Sequence, residues 1–138
     1  MPVKAPSGFE EIPHTADWAL RVWSPQFTGL LEYAARGMYS LMNVQYHEDA
    51  PVSRNLSIQG SDRETILVIF LEELLYIVEQ ENVGFTSFRF VDKVTLVEAS
   101  LEGFRILSRT KEIKAVTYHY LKIVETPEGF ATTIVFDV

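Results

Sequence analysis

Cysteine is absent from this 138-residue sequence. Disulfide bonds, thiolate nucleophiles and cysteine-ligated zinc or iron–sulfur sites are therefore excluded from it. Long hydrophobic runs are also absent: the longest aliphatic and aromatic run covers only residues 66–71, whereas a membrane-spanning helix needs about 20 apolar residues. Residues 1–8 contain no apolar segment of the kind found in signal peptides. We therefore expect a cytoplasmic protein with no membrane segment.

Positive charge is scarce, because 12 Lys and Arg residues face 19 Asp and Glu residues and leave a net charge of −7. A surface of that sign repels phosphate backbones, so we expect no tight direct binding of nucleic acid by this chain. Motifs of the common nucleotide-binding, zinc-protease and serine-hydrolase families are missing as well. The composition, 47% hydrophobic and 22% charged, is typical of a globular protein. The length predicts a single domain over residues 1–138.

The first half of the sequence predicts a strand followed by a helix. Residues 18–23 have the apolar and aromatic content of a short strand. Ser24-Pro25 is typical of a helix start, with Ser24 as the N-cap and Pro25 in the first turn. Apolar residues then recur at helical spacing over 27–42. Gly37 within this helix costs roughly 1 kcal/mol relative to alanine, which indicates close packing against another element.

The second half predicts one more helix and a series of strands. Alternation of polar and apolar residues over 52–59 predicts a half-exposed strand. Ser61-Asp62-Arg63-Glu64 matches a capping box at the start of an apolar helix that should run to about Gln80. Five further segments, rich in β-branched and aromatic residues, are predicted strands: 86–91, 94–101, 103–108, 115–124 and 130–136. Glu102-Gly103 is a predicted turn between the second and third of them.

This order of elements predicts an α+β fold. We expect a compact single-domain sandwich in which two main helices pack on a mainly antiparallel, or mixed, β-sheet. The sequence carries no signal for an oligomeric state.

The sequence ends with a possible cluster of oxygen donors. Asp137 and Val138 follow an apolar strand, which would place a side-chain carboxylate beside a terminal carboxylate. Two anions held together away from water repel, so one must be protonated or a cation must lie between them. Hard ions such as Ca²⁺ and Mg²⁺ bind to such oxygens. The alternative is a frayed and solvated chain end, where the two charges cost little.

His14 and Asp17 lie in a predicted turn before the first strand. In one interpretation Asp17 caps the local backbone, as in a common Asx-turn. In the other it is a metal ligand with His14 beside it, which requires that folding brings Asp17 to the chain end. Lys114 follows a basic loop and is either a solvated lysine or a functional one. His119 is more typical of a structural histidine in mid-strand than of a base.

Five blocks of sequence together resemble those of the archease family. They include Ile12-Pro13-His14-Thr15-Ala16-Asp17 near the start and Ile134-Val135-Phe136-Asp137-Val138 at the end. Each block alone is a weak signal, but together they are specific. The blocks occur in the family's order and span nearly the whole chain: 9–19, 34–39, 70–76, 113–119 and 134–138.

The resemblance implies an accessory protein rather than an enzyme. Archeases promote guanylylation and multiple turnover of an RtcB-type RNA ligase in tRNA splicing and RNA repair, and do not join RNA themselves. The family's metal ligands match Asp17, Asp137 and Val138, and its functionally important lysine matches Lys114. We place His14 with Lys114 among the residues that serve activation. Ca²⁺ is the expected ion, with Mg²⁺ or Mn²⁺ as alternatives.

The sequence departs from the family pattern at three positions. Glu72 stands where the second helix often has asparagine, Tyr120 where asparagine commonly follows the histidine, and Ser24 where glycine is usual. None of these removes an implied metal ligand. The first two affect the surface that a partner would contact.

Two other functions remain open from the sequence. A small metal-dependent hydrolase would use Asp17 and Asp137 with His14 or His119, and would turn over a substrate alone. A chaperone-like binding module would suppress the aggregation of unrelated clients.

Overall fold

Two helices and two antiparallel sheets share one hydrophobic core in the computed structural model, which describes residues 5–12 and 17–138. The helices are α1 (Phe27–Leu41) and α2 (Arg63–Glu81). The strands are β1 (Gly8–Ile12), β2 (Trp18–Ser24), β3 (Gln45–Tyr46), β4 (Val52–Gln59), β5 (Val83–Asp92), β6 (Leu96–Ser108), β7 (Ala115–Val116), β8 (Val124–Thr126) and β9 (Gly129–Asp137).

The first sheet has the order β1-β2-β9-β7, with β8 also paired to β9. In the second sheet, β6 pairs with β3, β4 and β5. All the described strand pairs are antiparallel. The predicted α+β fold with two helices on antiparallel strands is confirmed, and the strands divide between two sheets.

The core draws on both helices and both sheets. Phe70 of α2, Phe85 of β5 and Phe136 of β9 are almost completely buried, and burial of each such side chain contributes about 1.5–3 kcal/mol. Gly37 packs closely, as predicted, because a Cβ at this position would overlap the Leu20 side chain. In the described part of the chain, neither helix combines the length and apolarity needed to cross a membrane.

Helix α1 begins later than the sequence predicts. Ser24 is the last residue of β2 and pairs with Phe130 of β9, so its backbone is extended. The N-cap is Gln26, which makes no side-chain capping bond. The prediction that Ser24 caps this helix is therefore wrong, because pairing with β9 holds Ser24 in the sheet. Its hydroxyl instead accepts a hydrogen bond from the Ser7 hydroxyl at 3.0 Å.

Helix α2 is capped by Asp62 rather than Ser61. The Asp62 carboxylate accepts the N–H of Thr65 at 2.8 Å. Glu64, the partner in the predicted capping box, accepts the N–H of Ile123 at 3.0 Å instead. The predicted N-cap is thus wrong by one residue, and the capping box does not form because Glu64 bonds to the distant Ile123 instead. The helix ends one residue beyond the predicted Gln80.

The Asp62 cap predicts a pH-dependent contribution to stability. Hydrogen bonding to Thr65, chiefly to its main chain, holds the pKa of the Asp62 carboxyl below its usual 3.8. A lowered pKa stabilises the folded state above pH 3.8, and this stabilisation is lost as the pH falls through the lowered value. We expect Asp62→Ala to lower the urea midpoint of unfolding at pH 7, and the difference from wild type to vanish in strong acid. Ser61→Ala is the control, and its urea midpoint should equal that of wild type. If Ser61 capped the helix as the sequence predicts, Ser61→Ala would be the variant that lowers the midpoint.

Strand β6 runs without interruption through Glu102-Gly103, which the sequence predicts as a turn. Gly103 is buried opposite Phe85 of β5. A Cβ at Gly103 would overlap the carbonyl oxygen of Gly84 and lie 2.6 Å from the Phe85 Cα. The predicted turn is wrong because this glycine permits close approach of two strands rather than a chain reversal.

The predicted strand over 115–124 is also wrong in its middle part. Strand β7 ends at Val116, and the chain turns at Tyr120, whose φ of 55° is left-handed. The N–H of Leu121 donates to the carbonyl of Tyr118 at 3.0 Å, which closes the turn. Ile123 is held by Glu64 of α2. Contacts with α2 and β9 therefore override the β propensity of this segment.

Candidate functional site

Strand β9 brings the end of the chain beside the start of β2. The two strands pair from Ser24 with Phe130 to Trp18 with Phe136. Continuing this register by one residue would set Asp17, at the bend before β2, opposite Asp137. Because Phe136 points into the core, alternation places the two aspartates on the other face of the sheet. Directly opposite residues have Cβ atoms about 4.5–5.5 Å apart.

The main chain at Asp137 is held from the other side as well. Its carbonyl oxygen accepts the N–H of Lys114 at 2.8 Å, and Ala115 of β7 pairs with it. The Val138 side chain packs against the core. The chain is therefore anchored up to its last residues, and the frayed end considered from the sequence does not describe it. The Asp137 carboxylate itself is exposed.

Lys114 lies at the edge of this sheet and faces α2. Its side chain is exposed and lines a cavity of about 410 Å³ with Glu72, Tyr76 and Glu79 of the helix. Within the described chain Lys114 forms no ion pair. The fold thus brings the Lys114 backbone to Asp137, and sets the lysine side chain beside a groove on α2.

The two histidines named from the sequence have different outcomes. His14 lies outside the described residues. His119, predicted in mid-strand, is exposed in the turn after β7, where its ring packs edge-on against Tyr120 with 4.3 Å between centroids. The prediction of a structural mid-strand histidine is wrong, because the segment turns instead of continuing the strand.

The aspartate pair would offer oxygen donors of the kind that divalent cations bind. Like charges directly opposite on neighbouring strands destabilise a sheet, and a cation between them removes that repulsion. Over residues 5–12 and 17–138, no three carboxylate or imidazole side chains form a metal-binding group. Asp17 and Asp137 would therefore supply two carboxylates, and a main-chain oxygen of Val138 a third ligand. Such an all-oxygen set suits Ca²⁺, Mg²⁺ or Mn²⁺, with water completing the shell.

Lys111 is a contact residue that the sequence reasoning missed. Its ammonium lies 4.9 Å from the centroid of the Trp18 ring, a distance typical of a cation–π interaction. The contact ties the loop before Lys114 to β2 beside Asp17. No spacing pattern relates Lys111 to Trp18, so only the fold reveals it.

Comparison with known proteins gives consistent matches over most of the chain. A sequence model of the Archease protein family (MTH1598/TM1083) matches residues 9–138. Protein archease of Methanosarcina barkeri is 29% identical over 140 residues, which cover 94% of this chain and 95% of that protein. The archease-like protein of Dictyostelium discoideum is 26% identical over 147 residues, covering 94% and 93%.

Two solved structures share the fold. The crystal structure of an archease from Thermotoga maritima, named there as a possible chaperone, gives a TM-score of 0.74 at 20% identity, covering 94% of this chain and 96% of that one. The solution structure of Methanobacterium thermoautotrophicum protein 1598 gives a TM-score of 0.70 at 22% identity, covering 95% and 99%. At these identities the likeness shows the fold alone.

Proposed function

Because this chain belongs to the archease family, we propose that it is an accessory protein that activates an RtcB-type RNA ligase in the cytoplasm. It would promote guanylylation of the ligase and allow repeated turnover in tRNA splicing and RNA repair. The observation that carries this proposal is the β2–β9 register, which pairs Trp18 with Phe136 and so supports a position of Asp17 beside Asp137, within a family match that spans both aspartates.

The aspartate pair would act by holding a divalent cation. Asp17 and Asp137 would bind it through carboxylate oxygens, and Val138 through a main-chain oxygen. Ca²⁺ is the expected ion, with Mg²⁺ or Mn²⁺ as alternatives. When bound, the ion supplies positive charge that offsets the charge of phosphate groups at the ligase's nucleotide site.

The remaining residues would orient the protein on its partner. Lys114, exposed at the sheet edge, would act as a point charge toward phosphate or toward an acidic surface of the ligase. His14, three residues before Asp17 in the sequence, would serve activation together with Lys114. The ligase contributes the histidine that becomes modified, so this protein needs no nucleophile of its own. The net charge of −7 favours encounter with a basic, RNA-handling partner.

A guanylylation assay tests the proposal directly. Purified RtcB-type ligase is incubated with GTP and Mn²⁺, with and without a substoichiometric amount of this protein. We expect faster formation of the guanylylated ligase and several rounds of RNA joining per ligase. Unchanged rate and turnover would rule out the activator function.

Controls in this assay separate the alternatives. The protein without ligase should turn over neither GTP nor RNA, whereas a hydrolase would. It should not suppress the aggregation of an unrelated client, as a general chaperone would. Lys114→Gln should weaken stimulation, and Lys122→Gln, another exposed lysine without an ion pair to the described residues, should not.

A further inference from the structure

A second cavity lies at the opposite sheet, between the C-terminal half of α1 and the starts of β3 and β5. Its volume is about 320 Å³, and its lining includes Arg36, Tyr39, Ser40, Tyr46 and Thr86. None of the described residues that line it has an acidic side chain, although the protein has a net charge of −7. The cationic side chain of the cavity is Arg36, which pairs with Glu32 at 2.9 Å.

Tyr39 brings an unsatisfied hydroxyl to this cavity. The residue is only 5% exposed, and its hydroxyl has no hydrogen-bond partner among the described residues. Buried polar groups are normally paired, so an unpaired one needs an explanation. Burial raises the pKa of Tyr39 far above its usual range, and the nearby Phe85 main chain partly opposes this shift. The hydroxyl is therefore a protonated donor at neutral pH.

Tyr46 brings a second hydroxyl to the same place. It packs over Gly84, where a Cβ would lie 2.7 Å from the Tyr46 hydroxyl oxygen. Burial raises the pKa of Tyr46 to about 12, so this group also keeps its proton at neutral pH. The two tyrosines are close enough to influence each other's ionisation. Two protonated phenols thus belong to residues that line one small cavity.

Arg36 brings a guanidinium whose charge is partly offset by its ion pair with Glu32, and three contacts set its position. Its Nε donates to Glu32 at 2.9 Å and its Nη2 donates to the carbonyl of Thr86 at 3.1 Å. The guanidinium also lies 5.2 Å from the centroid of the Phe88 ring. No hydrogen bond within the described chain uses Nη1. The guanidinium is therefore held in place with one donor group still available.

We propose that this cavity binds a small oxyanion, a phosphate or a carboxylate group, through Arg36 and the hydroxyls of Tyr39 and Tyr46. Charged oxygens accept strong hydrogen bonds from guanidinium and hydroxyl donors. A bound oxygen would also satisfy the Tyr39 hydroxyl. The inference does not depend on the aspartate pair or on the ligase.

Titration with inorganic phosphate, followed by the amide resonances of the protein, tests this site. Sodium phosphate is added at constant ionic strength against sodium chloride, and sodium acetate is used in a second arm to separate phosphate from carboxylate recognition. We expect saturable shifts at residues 39–46 and 84–86 with at least one anion. Tyr39→Phe should raise the dissociation constant about tenfold, as expected for the loss of one hydrogen bond to a charged group.

Stability measurements distinguish binding from a structural role of the hydroxyl. Without anion, Tyr39→Phe should unfold at the same urea concentration as wild type or a higher one, because it removes an unpaired buried hydroxyl. Tyr46→Phe should also weaken binding, whereas Tyr33→Phe, on the same helix outside the cavity, should not. The inference is overturned if neither anion gives saturable shifts, if Tyr39→Phe binds as wild type does, or if that variant is less stable than wild type.

Discussion

Replacing either aspartate of the β2–β9 pair by asparagine is expected to abolish stimulation of the RNA ligase. Asp17→Asn and Asp137→Asn keep the size of the side chain but remove a charged oxygen ligand. Loss of a residue that only hydrogen-bonds to a metal ligand typically lowers metal affinity about 10- to 100-fold. Loss of a ligand itself should therefore weaken cation binding roughly 100-fold or more. The guanylylation assay measures the loss of stimulation, and Ca²⁺ titration followed by thermal unfolding measures binding without the ligase.

A matched acid-to-amide change separates this effect from a general loss of charge. Glu102→Gln alters an exposed residue of β6 that makes no ion pair with the described residues, and should stimulate as wild type does. Without cation, Asp137→Asn should be at least as stable as wild type, because it removes repulsion between opposed carboxylates. Full stimulation by the Asp17→Asn/Asp137→Asn double variant would refute the metal hypothesis while leaving the family membership untouched.

Replacing Gly103 by alanine is expected to give a large loss of stability. A Cβ at this position would overlap the Gly84 carbonyl oxygen and lie 2.6 Å from the Phe85 Cα. Both contacts are with backbone atoms of β5, which cannot rotate away as a side chain can. Overpacking usually costs 1–3 kcal/mol, so we expect about 3 kcal/mol here. Urea unfolding followed by circular dichroism measures the change in the free energy of unfolding.

Ser100→Ala is the control for this prediction. Ser100 is exposed on the same strand and pairs with Asn55 and Arg89. Its replacement should change stability by no more than about 0.5 kcal/mol. If Gly103→Ala unfolds at the wild-type urea concentration, β5 and β6 can separate locally, and the close approach is not a requirement of the fold.

Strongly periodic segments could be predicted from the sequence. Strands β2, β4 and β9 and most of both helices lie where alternation or helical spacing places them. The local sequence is enough to predict these elements, because a continuous apolar face is visible in the sequence whichever element packs against it. Short strands such as β1 and β3 were missed, since their stability comes from pairing with β2 and β6. Asp17, Asp137, Val138 and Lys114 were candidates from the sequence and from the family resemblance, whereas Tyr39, although it lies within the block 34–39, was not singled out.

The sequence by itself determined the absence of thiol chemistry, the acidic charge, the helical and strand periods and the family blocks. Tertiary structure alone decided that Ser24 stays in a sheet, that Gly103 lies within a strand and that the chain turns at Tyr120. It also brought the start of β2 beside the end of β9, and it gathered Arg36, Tyr39 and Tyr46 around one cavity. Hydrophobic periodicity shows which face of a helix or strand is buried. Contacts between residues far apart in the sequence depend on strand register and on how closely two elements approach, and no local sequence pattern encodes either.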